Sequence, residues 1–275
     1  MREFRMHKKI RLNAAATAGL LIILFFLIIA VFAPVIAPYD PKEMIASYLP
    51  PSKEHILGTN DVGQDIFSEM VYGTRVSLYI GIFAAFIVTG VGTVLALVSG
   101  YFGGVADKII TAITNIAMAV PSLPLTVLLI AYLNPGKWSL IIAISITAWT
   151  GTARILRARV MQLKELPFIK IEKTMGVHPA VILFKHILPN IKDIILTRGA
   201  MAISGAMMTE AGLSFLGLGE FGEKSWGSVL HYAFFRNSIM KKQYWWYVPP
   251  IVCICVCVLG FMLIGYYGKI KKGGE

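Results

Sequence analysis

Six runs of roughly twenty apolar residues divide the sequence, at approximately 14–34, 77–99, 109–133, 138–156, 192–216 and 247–267. An α-helix rises about 1.5 Å per residue, so about 20 residues match the ~30 Å of hydrocarbon in a bilayer. Hydrophobic residues make up 56% of the 275 and charged residues 15%, against about 45–50% and 25% in soluble domains. One soluble core cannot take up so many apolar side chains. The chain therefore reads as an all-α integral membrane protein with about six transmembrane helices. Pro121, Pro124 and the turn Asn134-Pro135-Gly136-Lys137 interrupt the third and fourth runs.

Arg2, Arg5, Lys8, Lys9 and Arg11 precede the first run, which is also the layout of a secretory signal peptide. The run is longer than the about 7–15 residues of a signal core, however, and Pro34 stands where cleavage would fall. It reads as a retained helix.

Lys and Arg accumulate on the cytoplasmic side of membrane proteins, which orients the rest. With the N-terminus inside, the segments 1–13, 100–108, 157–191 and 269–275 carry 16 Lys and Arg, counting Lys192 at the edge of the third. The outer segments 35–76, 134–137 and 217–246 carry 8. Both termini are expected in the cytoplasm. The organisation is then a cytoplasmic tail (1–13), a membrane domain (14–268) with a long outer loop (35–76) and a long inner loop (157–191), and a second cytoplasmic tail (269–275).

A net charge of +11 raises the question of nucleic acid. The basic residues fall between the apolar runs, with no recognition helix, aromatic-basic platform or zinc pattern, so nucleic acid is not expected as a partner and membrane lipid is. Cys253, Cys255 and Cys257 share one apolar run; buried thiols there act as small apolar groups, and neither a disulfide framework nor a metal site is expected. The five histidines are dispersed at 7, 55, 178, 186 and 231. No phosphate-binding glycine loop, nucleophile elbow or His-Glu-x-x-His pair occurs. No catalytic residue, metal or cofactor is expected on this chain.

Two polar features remain. The inner loop mixes basic residues with a helix-like apolar pattern at Ile169, Met175, Val181 and Phe184, suited to a short helix at the membrane surface or against a partner. Glu210 lies in the fifth apolar run, where a carboxylate is costly unless it faces the protein interior or water. A paired or interfacial glutamate near the outer end of that helix is favoured over a substrate contact.

The segment Gly176 to Pro189, closing with His186-Ile187-Leu188-Pro189-Asn190, resembles the cytoplasmic signature loop of binding-protein-dependent ABC permeases, in the dipeptide, oligopeptide and nickel branch. Ala37-Pro38-Tyr39-Asp40-Pro41, Leu57-Gly58-Thr59, Ser99-Gly100-Tyr101-Phe102-Gly103-Gly104 and Pro121-Ser122 recur in that branch's order. So do Glu210-Ala211-Gly212-Leu213-Ser214-Phe215-Leu216-Gly217-Leu218-Gly219 and Ser225-Trp226-Gly227.

The resemblance implies a type I ABC importer permease fold in the cytoplasmic membrane of a prokaryote. It also implies a second homologous permease subunit, two ATPase subunits and an extracytoplasmic substrate-binding protein, with peptides as cargo and nickel or metal chelates as the alternative. An ion-coupled secondary transporter is the rival from another class. The resemblance places the ATPase-coupling loop at Lys170, Glu172, Gly176, Val177, His178, Pro179, Phe184, His186 and Pro189, with Val177 to Lys185 against the ATPase. Lys170-Ile171-Glu172 stands where the family usually has Glu-Ala-Ala, and Asn60 and Gln64 stand where the branch usually has Asp and Arg. Those departures imply a diverged set of partners or a weakly active system.

Overall fold

The computed structural model describes residues 13–220 and 222–268. The expectations for the two tails therefore fall, Asn13 excepted, outside the described residues. Asn13 accepts the Ala15 N–H at 3.3 Å and so caps α1 (Ala14–Val31), the first membrane helix. That helix closes at Phe32, and the short α2 (Ala33–Ile36) follows with Pro34 in its first turn.

After the outer loop, Asp65 caps α3 (Ile66–Phe102) by accepting the Ser68 N–H at 2.8 Å. This helix has 37 residues, about 55 Å of length against ~30 Å of hydrocarbon. Its first turns therefore stand outside the membrane, and the expected outer segment 35–76 is helix from Ile66 onward. Gly103 and Gly104, at φ 67° and 56°, reverse the chain in a conformation open to glycine.

The third apolar run is not one straight span. It forms α4 (Gly104–Ala119) and α5 (Ser122–Leu133), bent by 90°. Pro121 lacks an N–H and forces the residue before it out of the helical region, and Val120 accordingly sits at ψ 127°. The fourth run becomes α6 (Lys137–Lys164), which continues into the expected inner loop. That loop then holds α7 (Pro167–Thr174), α8 (Pro179–Val181) and a π-helical stretch, Ile182–Ile187, that leads directly into α9 (Leu188–Phe215). On the outer side lies α10 (Trp226–Phe235), and α11 (Tyr244–Tyr267) is the last span.

On length and apolarity α1, α3, α6 and α11 can each cross a bilayer, and α4 with α5 counts as a fifth span when the bent pair is taken together. The 28-residue α9 carries Lys192, Asp193, Arg198 and Glu210, and packing between α3, α6 and α11 holds it in the bundle. The described residues thus hold four to five spans by length and apolarity against the about six expected, because the charged residues of α9 lower its apolarity. Small residues let the central helices close up: a side chain at Gly92 would meet Thr152 at 2.9 Å, and one at Gly100 would meet Val160 at 2.8 Å. Leu20, Leu21, Phe25, Phe86, Val94, Val252 and Leu259 point outward, as a lipid-facing surface requires.

The interior forms three apolar clusters. One contains Trp226 and Trp246, both almost fully buried. A second, at the same level of α3 and α9, joins α3, α5 and α6 through Ile80, Ile130, Leu140 and Ile144. The inner one joins Leu97, Val160 and Leu163 to Ile169, Ile182, Ile187 and Ile191.

Candidate functional site

At the inner end the chain builds a rigid projection. Leu166, in extended conformation, precedes Pro167 at the start of α7, the position where a missing N–H costs nothing. Ile169 turns inward and is buried in the inner cluster. Of the apolar pattern read in the sequence, Ile169 alone faces in; Met175, Val181 and Phe184 are exposed. Gly176 closes α7 at φ 76°, and no atom lies within 4 Å of a side chain placed there. Its glycine is therefore required by the left-handed turn, not by crowding within this chain.

His178 then caps α8, its Nδ1 accepting the Ala180 N–H at 3.3 Å, and Pro179 takes the first helical position. Pro189 cannot donate to the carbonyl four residues back. The preceding turn opens to π spacing, with Leu188 N–H donating to the Leu183 carbonyl, and Asn190 Nδ2 donates to the His186 carbonyl at 2.6 Å. Between Val177 and Lys185 the residues Val177, Ile182 and Leu183 pack on the inner cluster. His178, Pro179, Ala180, Val181, Phe184 and Lys185 face outward.

A carboxylate–imidazole contact and an exposed ion pair lie along this projection. Glu172 meets His186 Nε2 at 2.9 Å, both half-buried. Lys170 meets Glu165 at 2.9 Å in the open, and the Lys170 ammonium holds the Glu165 carboxyl below the usual carboxylate range. The positive charge at 170 thus has its own local counter-charge. A further clamp, not read from the sequence, ties α4 to α6 at the same end: Arg157 Nε and Nη2 donate to the two Asp107 oxygens at 2.5 and 2.6 Å. Fifty residues separate that pair in sequence, and neither residue stands out in a motif.

Glu210 is 1% exposed. Its Oε1 accepts from Ser214 Oγ at 2.7 Å and its Oε2 from Ser77 Oγ at 3.1 Å, while Ser77 Oγ also accepts the Trp226 N–H at 3.3 Å. The carboxylate therefore joins α3, α9 and the start of α10, and it lines neither of the cavities described next.

On the outer side, residues 37–65 fold into a cap over the bundle. His55 Nδ1 lies 3.0 Å from Asp65 Oδ1, both buried. Asn60 Nδ2 donates to Gln64 Oε1 at 3.1 Å and to Glu69 Oε1 at 2.9 Å; Lys224 donates to Gln64 Oε1 at 2.5 Å and pairs with Glu69. Asn60 and Gln64 thus serve a buried carboxylate and an ammonium that lies 155 positions from it in sequence. Beneath this cap opens a cavity of about 1230 Å³, lined by Lys42, Glu69, Tyr72, Arg75, Trp138 and Lys224 among others. A second cavity, about 480 Å³, lies deeper between α5, α6 and α9. Cys257 is buried beside Met207, with Cys253 half-buried and Cys255 exposed on the other side of α11.

Comparison with known proteins decides what this architecture is. Residues 92–268 match the family described as binding-protein-dependent transport system inner membrane component. The chain belongs to that family. Residues 4–51 also match the N-terminal transmembrane domain of oligopeptide transport permease C. Among its relatives is the oligopeptide transport system permease protein OppC of Bacillus subtilis, 37% identical over 94% of this chain and 84% of OppC. The dipeptide permease DppC of the same organism is 33% identical over 94% of this chain and 81% of DppC. The glutathione permease GsiD of Pectobacterium atrosepticum is 35% identical over 96% and 87%.

The fold is shared with the inward-facing MetNI methionine ABC transporter, at a TM-score of 0.59 and 18% identity over 73% of this chain and 94% of that one. This permease is thus a multi-pass inner-membrane component of a binding-protein-dependent ABC importer with the type I fold. An ion-coupled secondary transporter is excluded.

Proposed function

We propose that this permease is a membrane subunit of a peptide importer. Its identity to OppC across 94% of the chain is the observation that carries the cargo class, and two other relatives named above act on a dipeptide and on glutathione, itself a short peptide. In this reading it pairs with a second, homologous permease around a central route, above two ATPase subunits and beneath an extracytoplasmic binding protein. Both termini lie in the cytoplasm. ATP is hydrolysed on the separate subunits, and this chain makes or breaks no bond and holds no cofactor.

The inner projection is the lever. A groove on an ATPase would take the outward face of His178 to Lys185, including Phe184, which is 67% exposed. Closure of the ATPases then moves the projection, and the buried contacts of Ile169, Ile182 and Ile187 with Leu97, Val160 and Leu163 carry that motion to the inner ends of α3 and α6. Close-packed interiors transmit such displacements because they deform little.

The test is reconstitution of the full transporter in vesicles with its binding protein. ATP-dependent accumulation of a labelled tripeptide is expected. Accumulation of a nickel chelate with no peptide uptake would overturn the cargo assignment.

A further inference from the structure

Among the described residues Arg198 stands inside a membrane helix, faces the deeper cavity and has no carboxylate at ion-pair distance. It lies ten residues into α9, about 15 Å from the inner end of that helix. Its Nε is buried with no partner, and Nη1 finds only the Met201 sulfur at 3.7 Å. The guanidinium passes over Gly151 of α6, where an added side chain would sit 3.5 Å from Nη2. A charge at this depth is costly and ordinarily faces a partner or water.

The space it faces is the deeper cavity. At about 480 Å³ it is in the range of small-ligand pockets, about 300–1,000 Å³. Hydroxyls line it as well as apolar groups: Ser122, Thr126, Thr147, Thr152 and Thr209. Thr126 and Thr147 are in mutual contact at 3.2 Å, linking α5 to α6. Hydroxyls can donate to or accept from a peptide backbone in any register, while a guanidinium matches a carboxylate bidentately. Glu210, the buried carboxylate of α9, is sealed off by serines and does not line this space.

We propose that this cavity is a stretch of the route that peptides take, and that the Arg198 guanidinium engages a peptide carboxylate there. The proposal rests on the peptide-import reading. It makes the middle of the route selective for anionic ends, and it leaves the outer cavity as the place of entry.

The charge can be probed without any peptide. In the assembled transporter, with Cys253, Cys255 and Cys257 replaced by Ala, Ala202→Cys puts a thiol in the cavity one helical turn from Arg198. Its rates of reaction with a sulfonate-bearing and a trimethylammonium-bearing methanethiosulfonate are compared, each relative to free cysteine. The sulfonate should be favoured, and Arg198→Gln should lower that preference about tenfold while Arg198→Lys keeps it. No reaction with either reagent, or no preference in the Arg198 protein, would overturn the proposal, as would a preference unchanged in Arg198→Gln. No preference in the Arg198 protein would point to a carboxylate of another subunit as the partner, and that outcome decides the matter even if the Gln variant does not assemble.

In uptake assays Arg198→Gln should slow a free-carboxyl tripeptide about tenfold at saturating binding protein, with Arg198→Lys retaining most of the rate. Equal slowing in Arg198→Lys would also count against carboxylate recognition. Failure of the unmodified transporter to move any peptide would instead overturn the import reading, and the thiol rates would be unaffected by it.

Discussion

Glu210 shows how a costly residue is accommodated in an apolar helix. Burial of a carboxylate calls for hydrogen bonds to both oxygens, and Ser77 and Ser214 supply them. Glu210→Gln keeps one acceptor, and it should lower the yield and thermal midpoint of the purified complex by about 1 kcal/mol of stability. Glu210→Ala leaves two buried hydroxyls without their acceptor and should cost about 2–4 kcal/mol. A change in cargo preference with normal assembly would contradict this interfacial role. Asp107→Asn should weaken the bond between α4 and α6 by about 1 kcal/mol, read as a lower unfolding midpoint that Arg157→Lys reproduces in part. The cost of Glu210 was legible in the sequence because a carboxylate interrupts an apolar run. The pairs Asp107–Arg157 and Glu69–Lys224 were not, because their partners lie 50 and 155 positions apart and only the packing of helices brings them together.

Among the elements, the inner projection was the most legible. Its glycine, prolines and apolar spacing are local signals, and each has a local consequence: the left-handed turn at Gly176, the helix starts at Pro167 and Pro179, and the π stretch before Pro189. Which apolar residue turns inward was not legible, since a period alone does not say which face meets the bundle. The break of the third run was legible at Pro121, but its 90° angle depends on what α5 packs against. Lys170→Glu is expected to be tolerated for folding, because its pair with Glu165 is fully solvent-exposed and such pairs contribute little. Its effect should fall on the choice of ATPase partner, measured as copurification with each candidate ATPase. Loss of the folded permease in Lys170→Glu would show that the pair matters more than its exposure implies.

For the whole molecule, the charge asymmetry of the loops predicts the orientation. Labels at Lys53 and Lys241 should report the outside, and labels at Lys9 and Lys272 the cytoplasm; an external C-terminus would overturn the count of crossings. The central claim is that the inner projection couples ATP hydrolysis to the movement of cargo. Gly176→Trp tests it directly, because a side chain in the left-handed turn costs about 1–2 kcal/mol and adds bulk on the docking face, while the residue lies outside every membrane span. In reconstituted vesicles, uptake of a labelled tripeptide and substrate-stimulated ATP hydrolysis are measured together with subunit stoichiometry. The account predicts a transporter inserted in the membrane in which uptake falls at least about tenfold and no longer tracks hydrolysis. Unchanged uptake at unchanged coupling in Gly176→Trp would contradict it.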